Sequence, residues 1–207
     1  MKDCQIATGK KKAVIGLTGK YCAGKNHVAR LLERRSFPVL DLDKLGHEAI
    51  ETEKQRIVFR FGEDVLGPDG LVNRKLLGSK VFGKPIELAA LEDIVHPTVN
   101  RETLAWINAC SGGICFINAA LLHRSSAFDL LDAVIIVEAP FVLRLLRAKR
   151  RDGLPWMALL RRFGSQKEIG SHFFTRKTDI YRVGSLSGRR TEKRIDEILS
   201  RMGLTRV

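Results

Sequence analysis

The chain has 207 residues, a length that fits one domain or one core domain with an inserted lobe. Hydrophobic residues make up 44% and charged residues 29%, which excludes a wholly disordered, collagen-like or low-complexity chain. With 36 Lys and Arg against 23 Asp and Glu, the net charge of +13 indicates an anionic partner, whether nucleic acid, acidic lipid or a phosphate-rich small molecule.

The sequence predicts a protein of the cytoplasm without a membrane partner. No stretch approaches the ~20 apolar residues that a membrane-spanning helix needs. The N-terminus is polar and then basic, unlike a secretory signal. The four cysteines show neither CxxC spacing nor the density of a disulfide-stapled protein, so we expect a reducing compartment.

The N-terminal part of the chain predicts a βαβ unit. Residues 1–12 predict a flexible lead-in, and the apolar, β-branched run 13–18 predicts a buried strand that ends at a glycine. Helical spacing of apolar residues predicts a helix over 25–35, and 38–42 predicts a second strand. This succession indicates a parallel sheet with helices on both faces.

The rest of the chain predicts a helical lobe followed by more sheet. Residues 44–107 carry no strong strand signal and predict helices, whereas the continuous apolar runs 114–117 and 133–137 predict buried strands. Three further helices are predicted, over 142–151, 156–162 and 191–202.

Residues 19–25, GKYCAGK, fit the phosphate-loop pattern G-x-x-x-x-G-K between the first predicted strand and helix. The glycines let backbone N–H groups turn toward a phosphate, and the helix N-terminus adds partial positive charge. Lys25 supplies an ammonium group for the outer phosphates. The alternative, a glycine turn beside a chance lysine, is disfavoured by the flanking strand and helix.

The position after Lys25 departs from this pattern. Ser or Thr, whose hydroxyl binds Mg²⁺, is expected there, but the chain has Asn26 and then His27. An amide oxygen is also a hard ligand, so one interpretation is that Asn26 binds the metal, either directly or through water. Alternatively Asn26 caps the helix, and phosphates, waters and a carboxylate hold the metal. The residues alone leave these alternatives open.

Two aspartates end the second predicted strand. Because Asp41 and Asp43 alternate, only one should face the phosphate loop. Asp43 lies beyond the carboxyl end of the strand, where ligands bind in open α/β sheets. There it can accept a proton from an attacking hydroxyl or help to hold Mg²⁺. The alternative is an N-cap for a helix that starts near Lys44.

Seven basic residues fall on two predicted helices around a break at 152–155: Arg144, Arg147, Lys149, Arg150, Arg151, Arg161 and Arg162. Arginine neutralises phosphoryl oxygens with a planar set of donors, and a lid of this kind keeps water out. Arg147 and Arg151 share a helical face and are the strongest candidates. A solvated basic face is one alternative. A nucleic-acid surface is another, but aromatics are only 7% and no nucleic-acid module is present.

In these features the chain resembles the dephospho-CoA kinases, which are P-loop kinases of the nucleoside-monophosphate-kinase type. The resemblance covers roughly residues 13–200. In chain order its motifs are IGLTG at 15–19, GK at 24–25, DLDKLGH at 41–47, FG at 61–62, DG at 69–70, NR at 73–74, VF at 81–82, LE at 91–92, HP at 96–97, LL at 121–122, Arg147 with Arg151-Asp152, and Arg161 with Gln166. Their order makes the resemblance specific.

The resemblance implies a fold and an activity. The family transfers the γ-phosphate of ATP to the ribose 3′-hydroxyl of dephospho-CoA, the last step of coenzyme A synthesis. It implies an α/β three-layer P-loop kinase with a parallel five-stranded sheet, ATP as phosphate donor and Mg²⁺ as cofactor. We expect a single domain over 13–207, with a helical substrate lobe at about 44–107 and an arginine-rich lid at about 144–166.

Roles of individual residues also follow from the resemblance alone. Asp43 would be the catalytic base, acting with Lys25, Arg147 and Arg151. Arg74, His96 and Asp43 would lie on the substrate side, although without the family His96-Pro97 predicts a helix break with a buried histidine. The residues implied in ATP binding are Gly19, Cys22, Ala23, Gly24, Lys25, Asn26 and His27.

The chain also departs from the family. Where the family usually has Asp-x-Pro-Leu-Leu-Phe-Glu, residues 118–124 are NAALLHR, which removes two negative charges. The late segment 179–184 does not match well enough to carry over an adenine contact. Two alternatives therefore stand beside the kinase: a non-catalytic nucleotide- or nucleic-acid-binding descendant of a P-loop kinase, and a kinase for another small hydroxyl substrate.

Overall fold

The computed structural model describes residues 12–111, 113–122, 126–164, 179–186 and 188–204. The strands in these ranges are β1 (Ala13–Gly19), β2 (Val39–Asp41), β3 (Ile114–Asn118), β4 (Ala133–Glu138) and β5 (Asp179–Gly184). They form one sheet in the order β2-β3-β1-β4-β5, with parallel pairing of β1 to β3, of β1 to β4 and of β4 to β5. The predicted α/β fold with a parallel five-stranded sheet is confirmed.

The helices confirm the predicted helical regions. In the part of the chain that the structure describes they are α1 (Lys25–Arg34), α2 (Leu42–Thr52), α3 (Lys54–Phe61), α4 (Arg74–Val81), α5 (Pro85–Ala109), α6 (Phe141–Asp152), α7 (Trp156–Gly164) and α8 (Gly188–Arg201). Across the described ranges, none of these helices is long and apolar enough to cross a membrane.

The chain divides into two compact units. The first unit consists of Met1–Leu40 with Cys110–Val207, and the second is Asp41–Ala109. The first unit carries the sheet core with α1, α6, α7 and α8, whereas the second carries α2 to α5. A single kinase domain over 13–207, with the lobe and lid bounds given above, stays a prediction.

The core of the first unit fixes the end of β1. Every residue of β1 is buried, and Ile15 and Leu17 pack with Leu31 of α1 and Ile195 of α8. These four side chains are fully buried, and such burial contributes roughly 1.5–3 kcal/mol for each side chain relative to exposure. The loop after β1 therefore begins from a rigid, well-packed strand.

The residues alone did not predict β5, and only the family resemblance implied a fifth strand. The sequence DIYRVG mixes charged and apolar residues, and only Val183 within it is buried. β5 stands at the end of the strand order beside β4. An edge strand needs no continuous apolar run, because one side of it is not covered by another strand.

Helix α5 corrects the predicted break at His96-Pro97. The helix continues through Pro97, and His96 is exposed rather than buried. Pro97 removes the hydrogen bond to the carbonyl of Asp93, but both residues lie on the exposed side, where water can satisfy that carbonyl. Ile94 and Val99 are buried on either side of the proline, so packing along one face holds the helix together.

A buried hydroxyl links α5 to the junction between α2 and α3. Thr98 Oγ1, which is 3% exposed, donates a hydrogen bond to Glu53 Oε1, and Arg56 Nη1 donates to Glu53 Oε2 at 3.1 Å. The hydrogen bond from Thr98 is the main cause that lowers the pKa of Glu53, and Arg56 adds to it. The ionised form of Glu53 is therefore the one that stabilises the second unit.

We expect Thr98→Val to lower the free energy of unfolding at neutral pH. The size of this loss should become smaller as the pH falls. A lowered carboxyl pKa contributes stability that is present above the ordinary glutamate pKa and is lost as pH falls through the folded value. Urea unfolding of wild type and variant across pH 3–7 measures the difference. Thr103→Val is the matched control, since the Thr103 hydroxyl donates only to the backbone of Val99. A loss for Thr98→Val that is equal at all pH values would contradict the link to Glu53.

Candidate active site

The phosphate loop, residues 19–25, connects β1 to α1 in the first unit. Gly24 precedes the helix in the left-handed conformation, with φ of +102°, which glycine adopts without strain. A Cβ at this position would lie 2.5 Å from Ser185 Oγ, so the close approach of the two segments also needs glycine. The loop thus lies at the carboxyl end of β1 and the N-terminus of α1, the arrangement that favours a bound anion.

Arg147 of α6 is bound to the phosphate loop. Its Nη1 donates to the carbonyl oxygen of Ala23 at 3.2 Å and to Ser185 Oγ at 3.3 Å, and its Nη2 donates to the carbonyl oxygen of Ser185 at 2.6 Å. Ala23 and Ser185 are both buried. One guanidinium therefore ties the phosphate loop to the segment after β5.

Asn26 corrects one of the alternatives from the sequence. Gly24 is the N-cap of α1 and Asn26 is the second residue of the helix, so Asn26 does not cap it. Its Oδ1 instead accepts a hydrogen bond from Nδ2 of Asn118, at 3.2 Å. Asn118 ends β3 and is 1% exposed, whereas Asn26 is exposed. Two positions at which the chain departs from the family are therefore in direct contact.

Four arginines act electrostatically on the Cys22 thiol. Burial raises the pKa of the Cys22 thiol, and the positive charges of Arg151, Arg144, Arg147 and Arg162 oppose that rise without cancelling it. Arg144 is 9% exposed, its guanidinium carbon lies 4.9 Å from the ring centre of Phe163, and burial lowers its pKa. The loop therefore carries a protonated thiol within the positive field of four arginines, a setting suited to a polyanion.

A cavity of about 660 Å³ opens beside the loop within the first unit. Its wall includes Lys20 and the ends of β4 and β5, and Arg144 and Leu186 also line it. Glu138 and Arg182 form an ion pair in this wall. Cavities of this size with mixed polar and apolar walls are typical of sites for small molecules.

The second unit holds the residues predicted on the substrate side. Asp43 is the second residue of α2 rather than the end of the strand, because Asp41 caps this helix by accepting from the Lys44 N–H at 3.2 Å. The prediction that both aspartates alternate along the strand is therefore wrong. Arg74 is the exposed first residue of α4, whose N-cap is Asn73, and His96 is exposed on α5.

The structure brings the loop residues together with Arg147 and Arg151. Three residues to which the sequence analysis gave no individual role, one of them within the loop, take part in these contacts. These are Ser185, Tyr21 and Asp152. Asp152 is the only acidic residue between positions 144 and 162, and this feature of the sequence could have identified it as a partner of the surrounding arginines. Ser185 carried no signal at all. His123, Arg124 and Gln166 lie outside the described residues.

Comparison with known proteins identifies the family of the chain. The sequence matches the family described as dephospho-CoA kinase over residues 13–173. It is 42% identical over 147 residues to the dephospho-CoA kinase of Anaeromyxobacter dehalogenans, covering 68% of this chain and 70% of that protein. It is 32% identical over 207 residues to that of Treponema pallidum, covering 92% and 96%.

Several solved structures resemble this fold. The dephospho-CoA kinase from Campylobacter jejuni superposes with a TM-score of 0.64 and 21% sequence identity, covering 93% of this chain and 98% of that one. At this level of sequence identity, the structural similarity shows the fold alone. Taken with the extent of the sequence match, these findings show that the chain belongs to the dephospho-CoA kinase family.

Proposed function

We propose that the protein transfers the γ-phosphate of ATP to the ribose 3′-hydroxyl of dephospho-CoA, producing coenzyme A. The single observation that carries this proposal is the phosphate loop at the end of β1, held by Arg147 and within the positive field of further arginines, in a chain of this family. The reaction needs positioning of a triphosphate and stabilisation of the charge on the transferred group more than it needs covalent chemistry.

The first unit binds the ATP phosphates in this proposal. Backbone N–H groups of the loop and the N-terminus of α1 face the phosphate oxygens, with Gly19, Cys22, Ala23, Gly24, Asn26 and His27 as the contacting residues. The Lys25 ammonium binds the outer phosphates. Arg151 neutralises charge that develops on the transferred phosphoryl group.

Asp43 is the catalytic base of the proposed reaction. Its carboxylate lies in the first turn of α2 and is exposed. It accepts the proton of the ribose 3′-hydroxyl as that oxygen attacks phosphorus. Arg74 and His96, which are also exposed in the second unit, bind the substrate. These roles rest on the match of the residues to the family motifs.

Mg²⁺ is the metal that the family implies. In the described residues there is no group of three or more His, Cys, Asp or Glu side chains that could hold a metal ion. The Asn26 amide oxygen, which accepts one hydrogen bond from Asn118, fits an outer-sphere role, binding the ion through water. When bound, the ion supplies positive charge to the β- and γ-phosphates.

Asn26→Thr is expected to lower the Mg²⁺ concentration needed for half-maximal activity. A threonine hydroxyl can bind the ion directly, at the octahedral position that a water occupies when the amide binds through it. Asn26→Ala should change the requirement little, because a water can take the place of the amide. Activity measured against free Mg²⁺ at saturating ATP gives the three values. A raised requirement in Asn26→Thr, or loss of activity in Asn26→Ala at saturating Mg²⁺, would identify the amide as a direct ligand.

The proposed function is tested by coupled measurement of ADP release with dephospho-CoA and with a panel of nucleosides as acceptors. Mass spectrometry of the product then shows whether one phosphate has been added to the ribose of dephospho-CoA. Faster ADP release with another acceptor than with dephospho-CoA would show that the protein is a kinase for a different substrate. Salt-sensitive DNA binding without turnover would favour the non-catalytic alternative suggested by the +13 charge.

We also infer a reducing, cytoplasmic setting for this reaction. The cysteines in the described residues, Cys22, Cys110 and Cys115, are free thiols. Burial raises the pKa of Cys115 to about 12, so this thiol stays protonated and is a poor target for oxidation.

A further inference from the structure

Tyr21 of the phosphate loop is held against the two arginine-rich helices. Its hydroxyl donates a hydrogen bond to Asp152 Oδ2, and Arg162 Nη1 donates to the same hydroxyl at 3.1 Å. Asp152 also accepts from Arg151 Nε at 2.7 Å and lies 3.4 Å from Arg162 Nη1. Its side chain is only 16% exposed. One carboxylate therefore collects donors from the loop, from α6 and from α7.

The aromatic ring of Tyr21 makes a second set of contacts with the same two arginines. The guanidinium carbon of Arg151 lies 4.9 Å from the ring centre and that of Arg162 lies 5.3 Å from it. Phe163 meets the ring edge-on, at 5.3 Å and 78°. Cations are attracted to the face of such a ring, so Tyr21 restricts where both guanidinium groups can stand.

These contacts matter because positive charges that lie close together repel one another. Arg151 and Arg162 both bind the Asp152 carboxylate and both lie against the Tyr21 ring, so their two guanidinium groups are close together. Arg147 is bound to Ala23 and Ser185 by its own hydrogen bonds. Asp152 and Tyr21 hold the guanidinium groups of Arg151 and Arg162 beside each other in spite of this repulsion.

We propose that Tyr21 and Asp152 are positioning residues that hold Arg151 and Arg162 over the phosphate loop before ATP binds. Tyr21 acts through Asp152 and through its ring, and neither residue takes part in a bond-forming step. The inference rests on the proposed function, in which Arg151 stabilises the transferred phosphoryl group, and it adds Arg162 to that role. Donors fixed in place beforehand cost no reorganisation during the reaction, so their effect appears in kcat.

The test compares Tyr21→Phe, which removes only the hydroxyl, with Tyr21→Leu, which removes the ring as well. We expect kcat to fall about 10-fold in Tyr21→Phe and about 100-fold in Tyr21→Leu, with the KM for dephospho-CoA unchanged. Because a loosened lid admits water, the ratio of ADP released to acceptor phosphorylated should also rise. Tyr181→Phe, which removes a tyrosine hydroxyl from β5, is the matched control and should leave all three values unchanged.

A purely structural role would lower the melting temperature and the amount of active protein without changing this ratio. Turnover of Tyr21→Leu within twofold of wild type, or equal losses in the Phe and Leu variants together with an unchanged ratio, would overturn the proposal. Calorimetric titration with ATP, in the absence of the acceptor, distinguishes a failure of the positioning role from a failure of the proposed function. If wild type binds ATP but does not phosphorylate dephospho-CoA, the proposed function fails. The positioning role then requires at least a 10-fold weaker ATP affinity in Tyr21→Leu, and an unchanged affinity refutes it.

Discussion

Replacing Asp43 by Asn is expected to lower kcat about 100-fold or more while ATP affinity stays nearly unchanged. An amide has the size of the carboxylate but cannot accept the proton of the attacking hydroxyl. Because Asp43 is an exposed residue of the first helical turn, its replacement should not unfold α2. Steady-state turnover with dephospho-CoA and calorimetric titration with ATP measure the two quantities separately.

Asp41→Asn is the matched control for this experiment. Asp41 precedes Asp43 by two residues, and its carboxylate caps α2 at the Lys44 N–H. Asparagine is about as good an N-cap as aspartate, so this variant keeps the helix and most of the activity. Near-normal turnover in Asp43→Asn would refute the assignment of the base, and a 100-fold loss in Asp41→Asn instead would move the assignment to Asp41.

The sequence predicted the parts of the fold whose signals are local. The apolar β-branched run of β1, the glycines of the loop and the spacing in α1 each carry their own pattern, and the structure has all of them. The buried strands β3 and β4 were equally clear, because both are continuous apolar runs. The number of strands, in contrast, was implied only by the resemblance to the family, and the order β2-β3-β1-β4-β5 was not predicted.

The errors arose where tertiary contacts or caps outweigh local preference. Pro97 predicted a break, but buried residues on both sides of it keep α5 continuous. Asp41 takes the capping position and so draws Asp43 into the helix. The hydrogen bond between Asn26 and Asn118 joins residues 92 positions apart. No pattern in the sequence could have paired them, although each was noticed singly as a departure from the family.

The contacts of Arg147 could not be predicted from the sequence either, because they join residues that are far apart along the chain. They change the effect that we expect from replacing Arg147. The sequence predicted a catalytic arginine facing phosphate, whereas its guanidinium also bonds to the carbonyl oxygens of Ala23 and Ser185. Both acceptors belong to buried residues, and leaving such groups without a donor costs roughly 1–3 kcal/mol. Arg147 therefore shapes the loop itself.

Arg147→Ala is expected to lower kcat/KM for ATP about 100-fold, which corresponds to roughly 2.7 kcal/mol of lost transition-state stabilisation. The loop loses the guanidinium that ties Ala23 to Ser185, and its N–H groups no longer hold one arrangement around the phosphates. Steady-state kinetics with ATP as the varied substrate measure the change. Arg30→Ala, an exposed position on α1, is the control for the loss of one positive charge.

Arg147→Lys decides between the two roles of this arginine. A lysine restores the charge, but its single ammonium group cannot donate to Ala23 and to Ser185 in the geometry of the planar guanidinium. If the hydrogen bonds to the loop dominate, Arg147→Lys stays within about threefold of Arg147→Ala. If lysine instead recovers most of the activity, the positive charge toward phosphate is what the reaction uses, and the bonds to Ala23 and Ser185 are secondary.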